Sequence, residues 1–162
     1  MRAFVALGSN LNDPTAQVRS GAQALGRLPD TRLVRCSSLY RTAPIGLTEQ
    51  PDFINAVCEL ETTLAAPALM QALLDIEHAH GRTRDRPGGP RTLDLDLLLY
   101  GNRSLHEPGL TVPHPRLHER AFVLYPLQEI APALVIPGRG RIEDLFPACA
   151  GQGIERLADR AG

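Results

Sequence analysis

Neither lysine nor tryptophan occurs among the 162 residues, so all 17 basic side chains are arginine. A phosphate-binding G-x-x-x-x-G-K-[ST] loop is thereby excluded, and no G-x-G-x-x-G follows the first apolar stretch. Any phosphate must therefore be held by side chains. Cysteines number three, Cys36, Cys58 and Cys149. An odd count without C-x-x-C spacing argues against a disulfide framework and a four-thiolate zinc site, and each thiol is expected to be a small buried hydrophobe in a reducing cytoplasm. The apolar run at the N-terminus is too short for a secretory signal, and no stretch approaches the roughly 18 apolar residues of a membrane span. No G-x-S-x-G elbow exists, which argues against covalent catalysis. A formal net charge of −1 provides no general field for a nucleic-acid backbone.

What is present describes an ordinary globular chain: 43% hydrophobic and 22% charged residues, at a length close to that of one domain. A single domain over residues 1–162 is expected. Ala3 to Leu7 reads as a covered strand that breaks at Gly8. Asp13 is a good helix N-cap with Pro14 at the first helical position, and Val18, Ala22 and Leu25 recur at helical spacing. Thr31 to Leu39 alternates roughly, and a loop follows to Pro51. From Phe53 to Thr62 the alternation is clean, with Ile54, Ala56, Cys58 and Leu60 on one face and Phe53, Asn55, Val57, Glu59 and Glu61 on the other. Pro67 opens a second helix carrying Leu69, Leu73 and Ile76, which Gly81 stops. Leu93 to Tyr100 returns to strand, the odd-numbered leucines inward and both aspartates opposite. A helix from Glu119 to Ile130, a short strand from Leu134 to Ile136 and a weak final helix complete the chain. This order predicts an α+β fold: a ferredoxin-like antiparallel sheet backed by helices, with a loop-rich C-terminal extension.

The densest chemistry lies between Gly81 and Asp96. Arg82, Arg84, Arg86 and Arg91 crowd a stretch rich in glycine and proline that runs into a strand bearing Asp94 and Asp96. On one face of a strand those aspartates stand about 7 Å apart at the backbone. Such a pair can hold hard cations that keep waters and phosphate oxygens as their other ligands, or it can be a solvated strand face. The arginines favour the first reading, since a bound polyanion relieves their mutual repulsion, although a solvated surface loop explains them too. His78-x-His80 and His114-x-x-x-His118 lack partners at zinc-finger spacing. His114, between two prolines, suits a neutral donor to phosphate or an exposed loop residue.

Several passages together resemble the 6-hydroxymethyl-7,8-dihydropterin pyrophosphokinase family. They are Ala6-Leu7-Gly8-Ser9-Asn10-Leu11, Ser38-Leu39-Tyr40-Arg41-Thr42, Gln50-Pro51-Asp52-Phe53-Ile54-Asn55-Ala56, Gly89-Pro90-Arg91-Thr92-Leu93-Asp94-Leu95-Asp96, Leu110-Thr111-Val112-Pro113-His114-Pro115 and Glu129-Ile130-Ala131-Pro132. The resemblance implies a monomeric cytoplasmic enzyme of folate biosynthesis, with no nucleic-acid or membrane partner. It would move pyrophosphate from ATP to the pterin hydroxymethyl group with a pair of Mg²⁺ ions. It further implies Asp94 and Asp96 as metal ligands and Arg82 and Arg91 as catalytic arginines. ATP would be bound by Arg84, Thr111, His114 and Arg120, and the pterin by Thr42, Phe53, Asn55 and Phe122. Phe53 read without the resemblance is equally a core residue. The chain departs from the family pattern at Gly88, where an aromatic often precedes G-P-R, and at Gly109, where an arginine often stands. A looser lid is expected from the first.

Two other readings are compatible with the residues. A two-metal nucleotidyl or cyclase-type transferase would share the carboxylate pair but have no use for Phe53, Asn55 and Phe122 together, and a nucleotide sensor would release ATP unchanged.

Overall fold

A computed structural model describes residues 1–43, 49–81 and 92–162. Strand β1 (Arg2–Ser9) is apolar along most of its length because both faces are covered: Ala3, Val5 and Leu7 enter one core, Phe4 and Ala6 another. It does not break at Gly8 but runs through it. Helix α1 (Pro14–Gly26) begins as its cap predicts, with the Asp13 carboxylate accepting from Ala16 N–H and Val18, Ala22 and Leu25 buried. Gly21 sits in that buried stripe, where a Cβ would lie 3.1 Å from Leu7 and Leu93, so its absence lets the helix approach the sheet. The segment read as rough alternation is two strands, β2 (Thr31–Cys36) and β3 (Ser38–Thr42). Ser37 breaks them, its hydroxyl accepting from Val57 N–H at 3.0 Å. Then come β4 (Phe53–Thr62), α2 (Ala66–Ala79) and β5 (Asp94–Tyr100). The hairpin β6 (Leu105–Glu107) and β7 (Leu110–Val112) leads through a 3₁₀ turn at Leu117–Glu119 to α3 (Ala121–Ile130). A second small hairpin, β8 (Val135–Ile136) and β9 (Gly140–Arg141), precedes β10 (Ile154–Arg160).

The main sheet has the order β10-β3-β4-β1-β5, with β2 also paired to β4 and neighbouring strands antiparallel. Counting β2 and β3 as one interrupted strand, the order and the two crossover helices are ferredoxin-like, as predicted. Helices α1 and α2 cover one face. The segment expected to be a loose extension covers the other, with Val123, Leu124, Leu127 and Ile130 of α3 packed on Phe4, Ala6 and Val57. Glu129 fastens α3 to the sheet. Its carboxylate accepts from Ser38 N–H at 3.0 Å and from the Tyr40 hydroxyl at 2.8 Å, with the Arg156 guanidinium at 3.2 Å. Burial, reinforced by that hydrogen bond, holds the Tyr40 phenol well above its ordinary pKa.

Four expectations are corrected. The alternation of β5 is interrupted by a bulge: Phe4 pairs with Leu99 but Val5 with Leu97, so Leu99 leaves the face of Leu93, Leu95 and Leu97 and joins Leu98 in the α3 core. The helix expected from Glu119 starts at Ala121, because Arg120 is extended at φ −119° and ψ 111°. The weak final helix is β10, the edge strand beside β3. Cys36 and Cys58, opposite one another in β2 and β4, form a disulfide with their Cα atoms 4.2 Å apart, so only Cys149 is a free buried thiol. Among the described residues no helix is long and apolar enough to cross a membrane.

Candidate active site

The site grows from one row of side chains across the sheet, on the face that α3 covers. Tyr40 of β3 pairs with Asn55 of β4, Asn55 with Gly8 of β1, and Gly8 with Asp94 of β5. One step inward, Ala6 separates Val57 from Asp96. Because β-strand side chains alternate, Phe53, Asn55 and Val57 share this face, and so do Asp94 and Asp96. The centre of the row carries no side chain. A Cβ on Gly8 would meet Asn55 Oδ1 at 3.0 Å and Phe53 Cδ1 at 3.9 Å, so the glycine lets the Asn55 amide lie close over the strand backbone. Gly8 is the site residue that sequence reasoning missed. Its role depends on strand pairing, and the only local signal was a glycine inside an apolar run.

Asn55 is buried and donates from Nδ2 to Thr42 Oγ1 at 2.7 Å. That bond orients the amide, turning Oδ1 toward Gly8 as an acceptor. Asn10, at the end of β1, donates to Gln50 Oε1 at 2.8 Å and to Pro51 O at 3.0 Å, which places the chain as it enters β4 at half-buried Phe53. Sequence reasoning gave Asn10 no role, since both acceptors are forty residues away.

The opposite wall comes from the segment between β7 and α3. Half-buried Thr111 lies in β7, the Val112–Pro113 peptide is cis, and His114 N–H bonds Leu98 O at 2.9 Å. Burial, with Arg120 and Arg116 adding to it against the opposing Asp94 carboxylate, pushes the His114 pKa down to about 4. The ring is therefore neutral at physiological pH. Its Nδ1 accepts from Arg116 N–H at 3.2 Å, which leaves the proton on Nε2. The Arg120 guanidinium stands 5.4 Å from the centre of the Phe122 ring, at the start of α3. Thus Thr42 and Asn55 are brought into contact, Arg120 lies against Phe122, and His114 feels both Asp94 and Arg120. Arg82, Arg84, Arg86, Gly88 and Arg91 lie outside the described residues.

Asp94 and Asp96 are half-buried carboxylates on one strand face, the donor chemistry of a hard divalent cation. Among the described residues no cluster of three or more His, Cys, Asp or Glu could cage a metal ion. Two carboxylates on one strand face can hold a cation that takes its remaining oxygens from water and phosphate.

The family model described as 7,8-dihydro-6-hydroxymethylpterin-pyrophosphokinase matches residues 4–132. A Pseudomonas aeruginosa protein named 2-amino-4-hydroxy-6-hydroxymethyldihydropteridine pyrophosphokinase is 50% identical over 156 residues, covering 96% of this chain and 96% of its own. One of the same name from Haemophilus influenzae is 47% identical over 143 residues, 88% of this chain and 89% of its own. Among solved structures, wild-type Plasmodium falciparum HPPK-DHPS superposes with a TM-score of 0.63 at 14% identity, over 90% of this chain. That likeness shows the fold alone, and the present chain spans 43% of the solved one.

Proposed function

The chain belongs to the 7,8-dihydro-6-hydroxymethylpterin-pyrophosphokinase family, and on that premise we propose how its residues carry pyrophosphate from ATP to the hydroxymethyl group of 6-hydroxymethyl-7,8-dihydropterin. The observation that supports the reading is the row Asn55–Gly8–Asp94, in which a buried amide oxygen and a strand position without a side chain lie beside the carboxylates. The product is the pterin diphosphate of folate biosynthesis, and AMP leaves.

In this reading the pterin lies over Gly8 with its faces toward Phe53 and Phe122. Asn55 Oδ1 accepts from the amino edge of the ring, held there by the bond to Thr42. Neutral His114 donates from Nε2 to a phosphate oxygen, a bond that an uncharged ring forms without trapping product. Arg120, Arg84 and Thr111 bind the rest of ATP. Two Mg²⁺ ions held by Asp94 and Asp96 would spread charge over the bridging phosphate oxygens. The pterin hydroxyl oxygen forms a bond to the β-phosphorus and gives up its proton to solvent while the bond from that phosphorus to the α,β-bridging oxygen breaks, and AMP carries that oxygen away. Arg82 and Arg91 stabilise the charge that develops there. The whole of 1–162 acts as one domain, since β10 near its end is an integral strand of the sheet. Incubation with ATP, Mg²⁺ and the reduced pterin alcohol tests the reading. The pterin diphosphate should form, and its absence would refute the assignment.

A further inference from the structure

Glu77 is a carboxylate where apolar packing would be expected. It is 1% exposed, in a helix whose other buried positions are Ala66, Leu69, Leu73 and Ile76. Burying a carboxylate is costly unless hydrogen bonds offset the loss of water. One of those bonds is strong and specific: Oε2 accepts from the backbone N–H of Leu95 at 2.7 Å.

Leu95 is the residue between Asp94 and Asp96. It lies on β5, which among the described residues is the terminal strand of the main sheet and pairs with β1 alone. A terminal strand carries N–H groups turned away from its neighbour, and each needs a partner. Glu77 supplies that partner at the peptide joining Asp94 to Leu95. The Leu95 side chain packs in the core beneath α1 and α2, so α2 grips this segment twice, by the leucine and by the peptide. The carboxylates of Asp94 and Asp96 leave the same segment toward the opposite face. Any rotation of the Leu95 peptide would splay them.

We infer that Glu77 is a positioning residue for the Asp94–Asp96 pair: acting from the far side of the sheet, it fixes the strand that presents both carboxylates to a divalent cation. The inference rests on reading Asp94 and Asp96 as metal ligands, and it requires that the reach of the side chain, not merely its charge, sets cation affinity. Glu77→Gln keeps an oxygen at the same reach, able to accept from Leu95 N–H. Glu77→Asp keeps the charge and withdraws it by about 1.5 Å, one carbon–carbon bond.

The test is Mn²⁺ binding, followed by electron paramagnetic resonance with a non-hydrolysable ATP analogue, together with hydrogen exchange at the Leu95 amide in metal-free protein. Both are read on variants whose circular dichroism matches the parent. Glu77→Asp should weaken Mn²⁺ binding by about tenfold or more, as loss of a residue that orients metal ligands typically does, and should speed Leu95 exchange. Glu77→Gln should leave both near the parent values. The reverse ranking, or an Asp variant that binds Mn²⁺ like the parent, would overturn the inference. Asp94→Ala separates the two claims. If it binds Mn²⁺ unchanged, the metal reading fails; if it loses Mn²⁺ while Glu77→Asp does not, only the role of Glu77 fails.

Discussion

Replacing Gly8 by alanine adds one methyl group beside the Asn55 amide. The new Cβ would stand 3.0 Å from Asn55 Oδ1, inside ordinary contact, so the amide must retreat by a few tenths of an ångström. Asn55 cannot retreat freely, because its Nδ2 is tied to Thr42 at 2.7 Å. Misplacing Oδ1 against the ring weakens one hydrogen bond of the complex by about 0.5–1.5 kcal/mol, which corresponds to a roughly 2- to 13-fold loss of pterin affinity. The Asn55–Thr42 bond is made without ligand, so its weakening falls on the fold, where it is offset by the about 0.5–1 kcal/mol by which alanine is intrinsically favoured over glycine in a strand interior. Fluorescence titration with the pterin alcohol, calorimetric titration with an ATP analogue, and thermal unfolding measure the three quantities separately. Weakened pterin binding with unchanged ATP affinity and a little-changed Tm is expected. Pterin binding within twofold of the parent, or an equal loss of ATP affinity, would refute the role given to Gly8.

Alanine at Asp94 or Asp96 should lower kcat by several decades with little change in Tm, since neither side chain fills a core; steady-state kinetics and calorimetry on each variant decide it. His114 should show its ring-proton titration near pH 4, and not near 6.5, by nuclear magnetic resonance. Because the folded pKa is depressed, the unfolded chain takes up a proton first. The stabilisation is complete above pH 6.5 and is lost as pH falls toward about 4. His114→Gln should therefore flatten the dependence of unfolding free energy on pH in that window, and an unchanged slope would contradict it. Non-reduced, denatured protein should expose one alkylatable thiol, Cys149, and three after reduction. Mass spectrometry counts them. Reducing a disulfide that spans a sequence separation of 22 should cost about 3 kcal/mol of stability, by the chain-entropy relation for loops of that size.

Where function and fold were legible, the signal was local. Asp13 and Pro14 mark a helix start within a few residues, and the alternation of Phe53 to Thr62 places Asn55 on the face where it is found. The Asp94–Leu95–Asp96 pattern is likewise complete in three residues. What stayed hidden needs pairing between distant strands. Gly8 reads as a strand end until its partners Asn55 and Asp94 are known, and Cys36 reads as a lone thiol until β2 is set against Cys58. At the end of the chain Ile154 packs toward α3 and Leu157 toward α1 and α2, the opposite faces that strand alternation gives residues three apart, and β10 is set as an edge strand only by its pairing with distant β3. At β5 a single bulge moved Leu99 to the other core, which strict alternation cannot anticipate.

Transfer of an intact pyrophosphoryl group to the pterin alcohol is tested most directly by isotopic labelling of ATP. With label on the γ-phosphate the pterin product should carry it, and with label on the α-phosphate all of it should appear in AMP, one AMP for each pterin diphosphate. Formation of ADP with a pterin monophosphate, or release of AMP and free pyrophosphate without a pterin product, would contradict it.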